Sequence, residues 1–325
     1  MGLGELIDRS VNFWRANWKP LFQLMLGFQL VEFTLVALSQ TLARWLFPLA
    51  RDPEAIQHAP GTALPDLLGT SALMTGAVLG SLLVAQVAGV ATTYFAFTRV
   101  TAKGQPTSGD AFRHAAARLG TTTGAFALSM AWSLVVMMLL LLPGLALGTG
   151  AVFLGVGGQK VGAVIVGVLA AVALVLATVV LVVWFLIRFI LVSQIIAMEP
   201  VKALAAFRRA DALSSGRVEL GAIGLVKLRL TVLVTIMGGL LLIVSTVASM
   251  PLLIAGGLYG AGISAGHTLT DVVPLAVMVP LQLVQTVLGA LVAPLYIIFQ
   301  TFFYADMRAR REGLDLELAL AASAA

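Results

Sequence analysis

The chain has 325 residues, of which 60% are hydrophobic and only 11% charged, and its mean hydropathy is +1.01. A soluble globular domain carries about 25% charged residues, so this composition excludes one and implies a polytopic membrane protein. The formal net charge of +5 and pI near 9.9 fit basic residues gathered on the cytoplasmic side of a membrane, not nucleic-acid binding, and the lack of cysteine excludes disulfides, a thiol nucleophile and zinc–thiolate sites.

The chain opens on "MGLGELIDRSVNFWRANWKP". Residues 3–19 place Leu3, Leu6, Ile7, Trp14 and Trp18 near one helical face and Glu5, Asp8, Arg9, Asn12, Arg15 and Lys19 along the other. That is the pattern of an amphipathic helix lying in the membrane interface. The segment has no uninterrupted apolar core and no small-residue cleavage site, so it does not read as a signal peptide. Gly2 is not in a myristoylation context, because Leu6 stands where Ser or Thr is required.

A helix needs roughly 20 apolar residues to cross a bilayer. Such runs predict six spans, at 20–43, 71–98, 121–147, 161–190, 229–249 and 273–303. The fourth and sixth exceed the need and should tilt or project. Between spans two and three, residues 107–119 predict a second interfacial helix. Thr107 and Asp110 form a capping-box-like start, and "AFRHAAARLG" combines an apolar face with Arg113, His114 and Arg118. Residues 199–216 predict a third, with Pro200 suited to a first helical turn and Gly216 to a stop. Ala111-Phe112-Arg113 is echoed by Ala206-Phe207-Arg208, and each helix leads into a span that ends near a proline, at Pro48, Pro143 and Pro251. The expected fold is all-α: six transmembrane helices in three repeats (about 1–103, 104–198 and 199–312), each an interfacial amphipathic helix plus a two-span hairpin. A cytoplasmic tail, 313–325, completes a single integral membrane domain over 1–325. Two spans per unit make the repeats parallel, related about an axis along the membrane normal.

Of the 20 lysines and arginines, all but Arg44, Arg51 and Lys160 fall on the face that carries both termini. The positive-inside rule therefore predicts an inner-membrane protein with N- and C-termini in the cytoplasm. Asp52, Glu54, Asp66 and Asp271 on the other face carry little weight in that rule. Arg15, Lys19, Arg113, Arg188, Arg208, Arg209, Lys227 and Arg229 are expected to meet anionic headgroups of the inner leaflet. Arg188, four residues after Trp184, reads as a stacking or snorkelling arginine, and Lys227 and Arg229 mark the start of span five in the same way.

Glu32 lies near the middle of span one, flanked by Gln29 and Gln40 on roughly the same face. A carboxylate at bilayer depth is expensive and reads as functional by default. It would be neutral, paired, or open to a water-filled cavity. Gln86 in span two, Gln282 and Gln285 in span six, or a basic residue of another span are its candidate partners. The competing reading is an interhelical hydrogen bond that fixes packing. Gly76 and Gly80, and Gly144 and Gly148, are small-xxx-small pairs that allow close helix contact, in a chain where 32 glycines make such matches common. His58, His114 and His267 are scattered, and neither HExxH nor a phosphate loop occurs. "GVGGQKVG" (155–162) and "GAGISAGHTLTD" (260–271) read as outer turns and loops. No catalytic, cofactor or metal site is expected, and the chain is not expected to be an enzyme.

The last charged stretch is "YADMRARREGLDLEL". Asp306 and Arg310 are four apart, as are Arg308 and Glu312, which suits a helix surface continuing span six. The arginines complement the helix dipole and Gly313 can end the helix, so the stretch reads as a C-terminal anchor. Leu314, Leu316 and Leu318 either tuck against the cytoplasmic helices or form a short docking strand.

This ending resembles the tyrosine-x-aspartate-x-arginine and glutamate-glycine-x-aspartate-leucine close of the membrane domain associated with some glycerophosphodiester phosphodiesterases. "MEPVKALAAFRRADALSSGR" resembles that domain's cytoplasmic segment, and "LIDRSVNFWRANWKPLF" its opening amphipathic helix. Short motifs carry the resemblance, in the same order along nearly the whole chain. It implies a bacterial multispan protein. Where that domain is fused to a phosphodiesterase, a separate soluble barrel holds the catalytic histidines and carboxylates. These 325 residues contain no such barrel, so the activity is not expected here. The function expected is that of a non-enzymatic scaffold, assembly factor or subunit of a membrane complex. Its partners would be anionic lipid and a membrane-protein partner or a second copy of the chain. The alternative is a transporter or channel for a lipid or small solute, using Glu32 and the intramembrane glutamines.

Overall fold

The computed structural model describes residues 2–47, 60–101, 104–215, 226–259 and 273–313, and every regular element among them is an α-helix. In chain order these are α1 (Leu3–Ala16), α2 (Trp18–Leu46), α3 (Pro60–Val100), α4 (Ser108–Ala117), α5 (Leu119–Val156), α6 (Lys160–Phe189), α7 (Val192–Met198), α8 (Ala203–Ser214), α9 (Val226–Tyr259) and α10 (Leu275–Glu312). Six of them, α2, α3, α5, α6, α9 and α10, are long and apolar enough to cross a membrane. The chain therefore has the architecture of a multi-pass membrane protein.

The long helices overrun the ends expected from hydropathy. Pro143 and Pro251 lie inside α5 and α9, not at their ends. A proline removes one backbone hydrogen bond. Ending the helix there would leave several carbonyls unpaired in an apolar medium, so continuing is the cheaper solution. Pro48 lies outside the described residues. The chain forms two compact units, residues 1–119 with 233–325, and residues 120–232.

In the first unit, α2 packs against α3 and α10, and α3 packs against α10. The densest core lies at the basic end of these helices. There Leu21, Leu24, Met25 and Phe28 of α2 join Val90, Ala91, Phe95 and Phe97 of α3 and Ile298, Phe299, Phe303 and Tyr304 of α10, all buried. The hydroxyls of Thr93 and Thr301 meet inside it at 3.2 Å, and Thr92 Oγ1 donates to Met25 Sδ at 3.5 Å. Two short helices cover this end. α1 packs against α10 and α2, and α4 against α3 and α2.

The first amphipathic helix stops sooner than its 3–19 pattern suggests. Asn17, with φ −124° and ψ 20°, breaks it, and its Nδ2 donates to the Phe13 carbonyl at 2.8 Å. Trp18 and Lys19 consequently belong to α2. The start expected for α4 is present: Asp110 N donates to Thr107 Oγ1 at 3.2 Å, and the Asp110 carboxylate accepts from Thr107 N at 2.9 Å. Ser108 Oγ then ties α4 to the Pro20 carbonyl at 2.9 Å.

In the second unit, α5 and α6 form a hairpin turned at residues 157–159. Gly158 has φ +80°, a conformation that strongly favours glycine. Close approach continues down the hairpin: a Cβ at Gly144 would lie 2.6 Å from the Leu174 side chain, and one at Gly155 would lie 3.7 Å from Ala163. Beyond α7 the chain is extended at Glu199, as the residue before a proline prefers to be. Pro200 accordingly stands ahead of α8, which begins only at Ala203, and not in its first turn. α8 packs against α7 and α6. Gly216 lies outside the described residues.

Candidate functional site

One docking rule recurs. α4 packs on α3, α8 packs on α6, and α1 packs on α10. Each short amphipathic helix thus lies on the second, fourth or sixth of the membrane-length helices. An aromatic pair crosses each contact. His114 stacks on Tyr94 with ring centres 4.0 Å apart, Phe207 meets Phe189 edge-on at 4.7 Å, and Phe13 meets Phe302 edge-on at 5.8 Å. Tyr94 precedes Phe112, and Phe189 precedes Phe207, by the same eighteen residues. Phe112 itself stacks on Phe28 at 4.5 Å. α1 adds a hydrogen bond from Trp14 Nε1 to the Leu291 carbonyl at 3.0 Å. Leu291 lies three residues before Pro294, in the turn where that proline interrupts the backbone ladder of α10.

Docking buries Leu6 of α1, Ala111 and Ala115 of α4 and Ala206, Phe207, Ala210 and Leu213 of α8, and the cations divide into two groups. Arg15, Lys19, Arg113, Arg208 and Lys227 are exposed. Lys19 Nζ also sits 5.8 Å from the centre of the Trp18 ring, itself 45% exposed. Arg209 and Arg229 differ from expectation. Arg209 Nε pairs with Glu199 at 3.2 Å and so ties α8 to the extended segment before it. Arg229 is only 6% exposed and belongs to the interior. The side chains of Trp184 and Arg188 lie outside those described.

The C-terminal stretch is helical through Glu312, and Gly313 caps it in the left-handed conformation with φ +68°. Arg310 Nε pairs with Asp306 at 3.1 Å and Arg308 Nε with Glu312 at 3.0 Å. The first pair is not on the surface as the four-residue spacing suggests, because Asp306 is 4% exposed and faces the packed end of the first unit. Leu314, Leu316 and Leu318, like His58, His267 and the loop at 260–271, lie outside the described residues.

The polar group of α2 is at a different level. Gln29 Nε2 donates to Glu32 Oε2 at 2.7 Å. The partner of Glu32 is therefore its own neighbour one turn away. Gln86 is exposed on α3. Gln282 and Gln285 are half-buried on α10, one to two turns from Gly289, where a Cβ would lie 3.5 Å from Gln29 Oε1. The glycine lets α10 approach the Gln29–Glu32 pair. Sequence reasoning passed over Thr70 and Ser81 of α3, which present buried hydroxyls in the same unit. Serine and threonine in an apolar helix commonly bond their own backbone and give no distinctive signal. No group of three or more metal-ligating side chains occurs among the described residues.

No family model, no curated protein and no solved structure matches this chain.

Proposed function

We propose that the chain is a non-enzymatic inner-membrane protein that serves as a scaffold, assembly factor or subunit of a membrane complex, with both termini in the cytoplasm. The observation that carries this reading is the repeated docking of α1, α4 and α8 on the sixth, second and fourth of the membrane-length helices. Docking holds the helices at the ends of the spans and leaves Arg15, Lys19, Arg113 and Arg208 outward. Outward cations at the headgroup level attract anionic lipid at about 1 kcal/mol per basic residue. The same rule supports a threefold repeat of interfacial helix plus hairpin. It also agrees with the sequence resemblance to the membrane domain associated with glycerophosphodiester phosphodiesterases, without that enzyme's barrel. Native mass spectrometry after gentle extraction tests the proposal. The expected result is a stable complex with another membrane protein or a second copy, retaining anionic lipid. A chain that runs alone, with no retained lipid, overturns it.

A second reading, a channel or transporter for a small solute, is favoured by one feature, the Gln29–Glu32 pair within α2. Flux into reconstituted vesicles tests it, and an unchanged rate in Glu32→Gln removes Glu32 from any such path.

A further inference from the structure

Gln40 Oε1 of α2, Thr70 Oγ1 and Ser81 Oγ of α3 and Gln282 Oε1 of α10 are all buried, and none makes a hydrogen bond among the described residues. These three helices pack on one another within a single unit. Along α2, Gln29, Glu32, Gln40 and Arg44 share one helical face, and Thr70 and Ser81 share a face of α3. Gln282 and Gly289 share one on α10. Two close approaches fix the level. A Cβ on Gly289 would lie 3.5 Å from Gln29 Oε1, and one on Gly80 would lie 3.4 Å from Leu35 Cδ1. Ser81 thus lies about one turn beyond Glu32, and Gln282, then Gln40, then Arg44 and Thr70 lie farther from the basic end.

A buried oxygen with no partner is costly in an apolar setting, and the general solution in native proteins is bound water. Here the oxygens are strung along a seam and do not converge. Gln29 to Arg44 spans about 22 Å of helix. A string of acceptors and hydroxyls on three helices suits a file of waters, not one ion or one organic ligand. Each water needs two or more polar partners, and polar side chains on all three packed helices are available to it. Glu32 retains acceptor capacity beyond the single N–H it receives from Gln29.

We propose that α2, α3 and α10 enclose a water-filled seam that runs from the Arg44 end of these helices to Glu32 and keeps its carboxylate in exchange with the aqueous phase. The seam does not depend on the scaffold reading, and it gives the transport reading a defined entrance.

The chain has no cysteine, so single substitutions report directly. Gln40→Cys, Ser81→Cys and Gln282→Cys would be compared with Leu38→Cys, on the lipid-facing side of α2, in sealed vesicles treated with a membrane-impermeant cationic thiosulfonate. The seam cysteines should react at least tenfold faster than Leu38→Cys, with Ser81→Cys the slowest of the three. Equal rates overturn the proposal. The unsubstituted chain supplies a second measurement that does not depend on a variant folding. Under radiolytic hydroxyl-radical labelling in vesicles, Met278, buried one turn from Gln282, should be oxidised faster than lipid-facing Met138. The reverse order overturns the seam. Both assays read wetting and not flux or complex formation, so their failure is distinguishable from failure of either functional reading.

Discussion

The indole nitrogen of Trp14 donates to the backbone carbonyl of Leu291 across 277 residues of chain, at 3.0 Å. A single side chain thereby fastens the first helix to the last. Trp14→Phe keeps most of the ring and removes the donor. The expected loss is about 1 kcal/mol, read as a lower unfolding temperature in detergent and faster proteolysis within α1. Trp18→Phe, at an exposed ring on α2, should leave both unchanged.

The two ion pairs at the end of α10 should behave very differently under charge removal. Asp306 is buried beside Arg310, so Arg310→Ala leaves a buried carboxylate without this cation and should cost about 3–5 kcal/mol. Arg308 and Glu312 are both partly exposed, and Glu312→Gln should cost no more than about 0.5 kcal/mol. Chemical denaturation of the two variants side by side checks the contrast. Equal losses would mean that Asp306 is as well solvated as Glu312.

Gly27 lies beneath Phe112, and a Cβ there would come within 2.7 Å of the ring tip. Gly27→Ala must therefore push the ring off Phe28, losing a stack worth about 0.5–1.5 kcal/mol. In a Phe112→Ala background the same substitution should cost almost nothing. Additive losses in the double variant would show that the glycine is needed for its backbone and not for the ring above it.

α4 should have a pH-dependent start. The hydroxyl of Thr107 donates to Asp110 at 2.7 Å and its backbone N–H does so at 2.9 Å, which together hold the Asp110 carboxyl below its ordinary value of 3.8. A lowered folded pKa means stability that is fully present above the ordinary value and is lost as the pH falls through the lowered one. Amide exchange in the first turn of α4 should accordingly quicken below about pH 4. Asp110→Asn should flatten that profile, and a dependence that survives the substitution assigns it to another group.

Six long helices were legible because 20-residue apolar runs can be little else. Their ends were less so. Pro143 and Pro251 look like stops in a soluble protein, yet in α5 and α9 the surrounding medium makes stopping dearer than continuing. The Thr107–Asp110 cap and the Gly313 stop were readable because both act within a few residues of chain. Glu32 stood out by its rarity, but its partner did not: the candidates sought were Gln86, Gln282, Gln285 or a basic residue on other helices, whereas the bond goes to Gln29, one turn away on α2. Likewise Asp306 was placed on the surface by its spacing and in the interior by its neighbours. Nothing local marks Trp14 as the partner of Leu291.

That pairing imposes an order on synthesis. α1 leaves the ribosome long before α10 exists, so for most of translation Trp14 lacks its acceptor at Leu291. An amphipathic helix can wait at the headgroup layer, where its apolar side is shielded and its charges are wet. The last span then arrives and takes the first helix from the lipid. Maturation of this fold is in that sense a hand-over from membrane to protein, completed only when the final helix is in place.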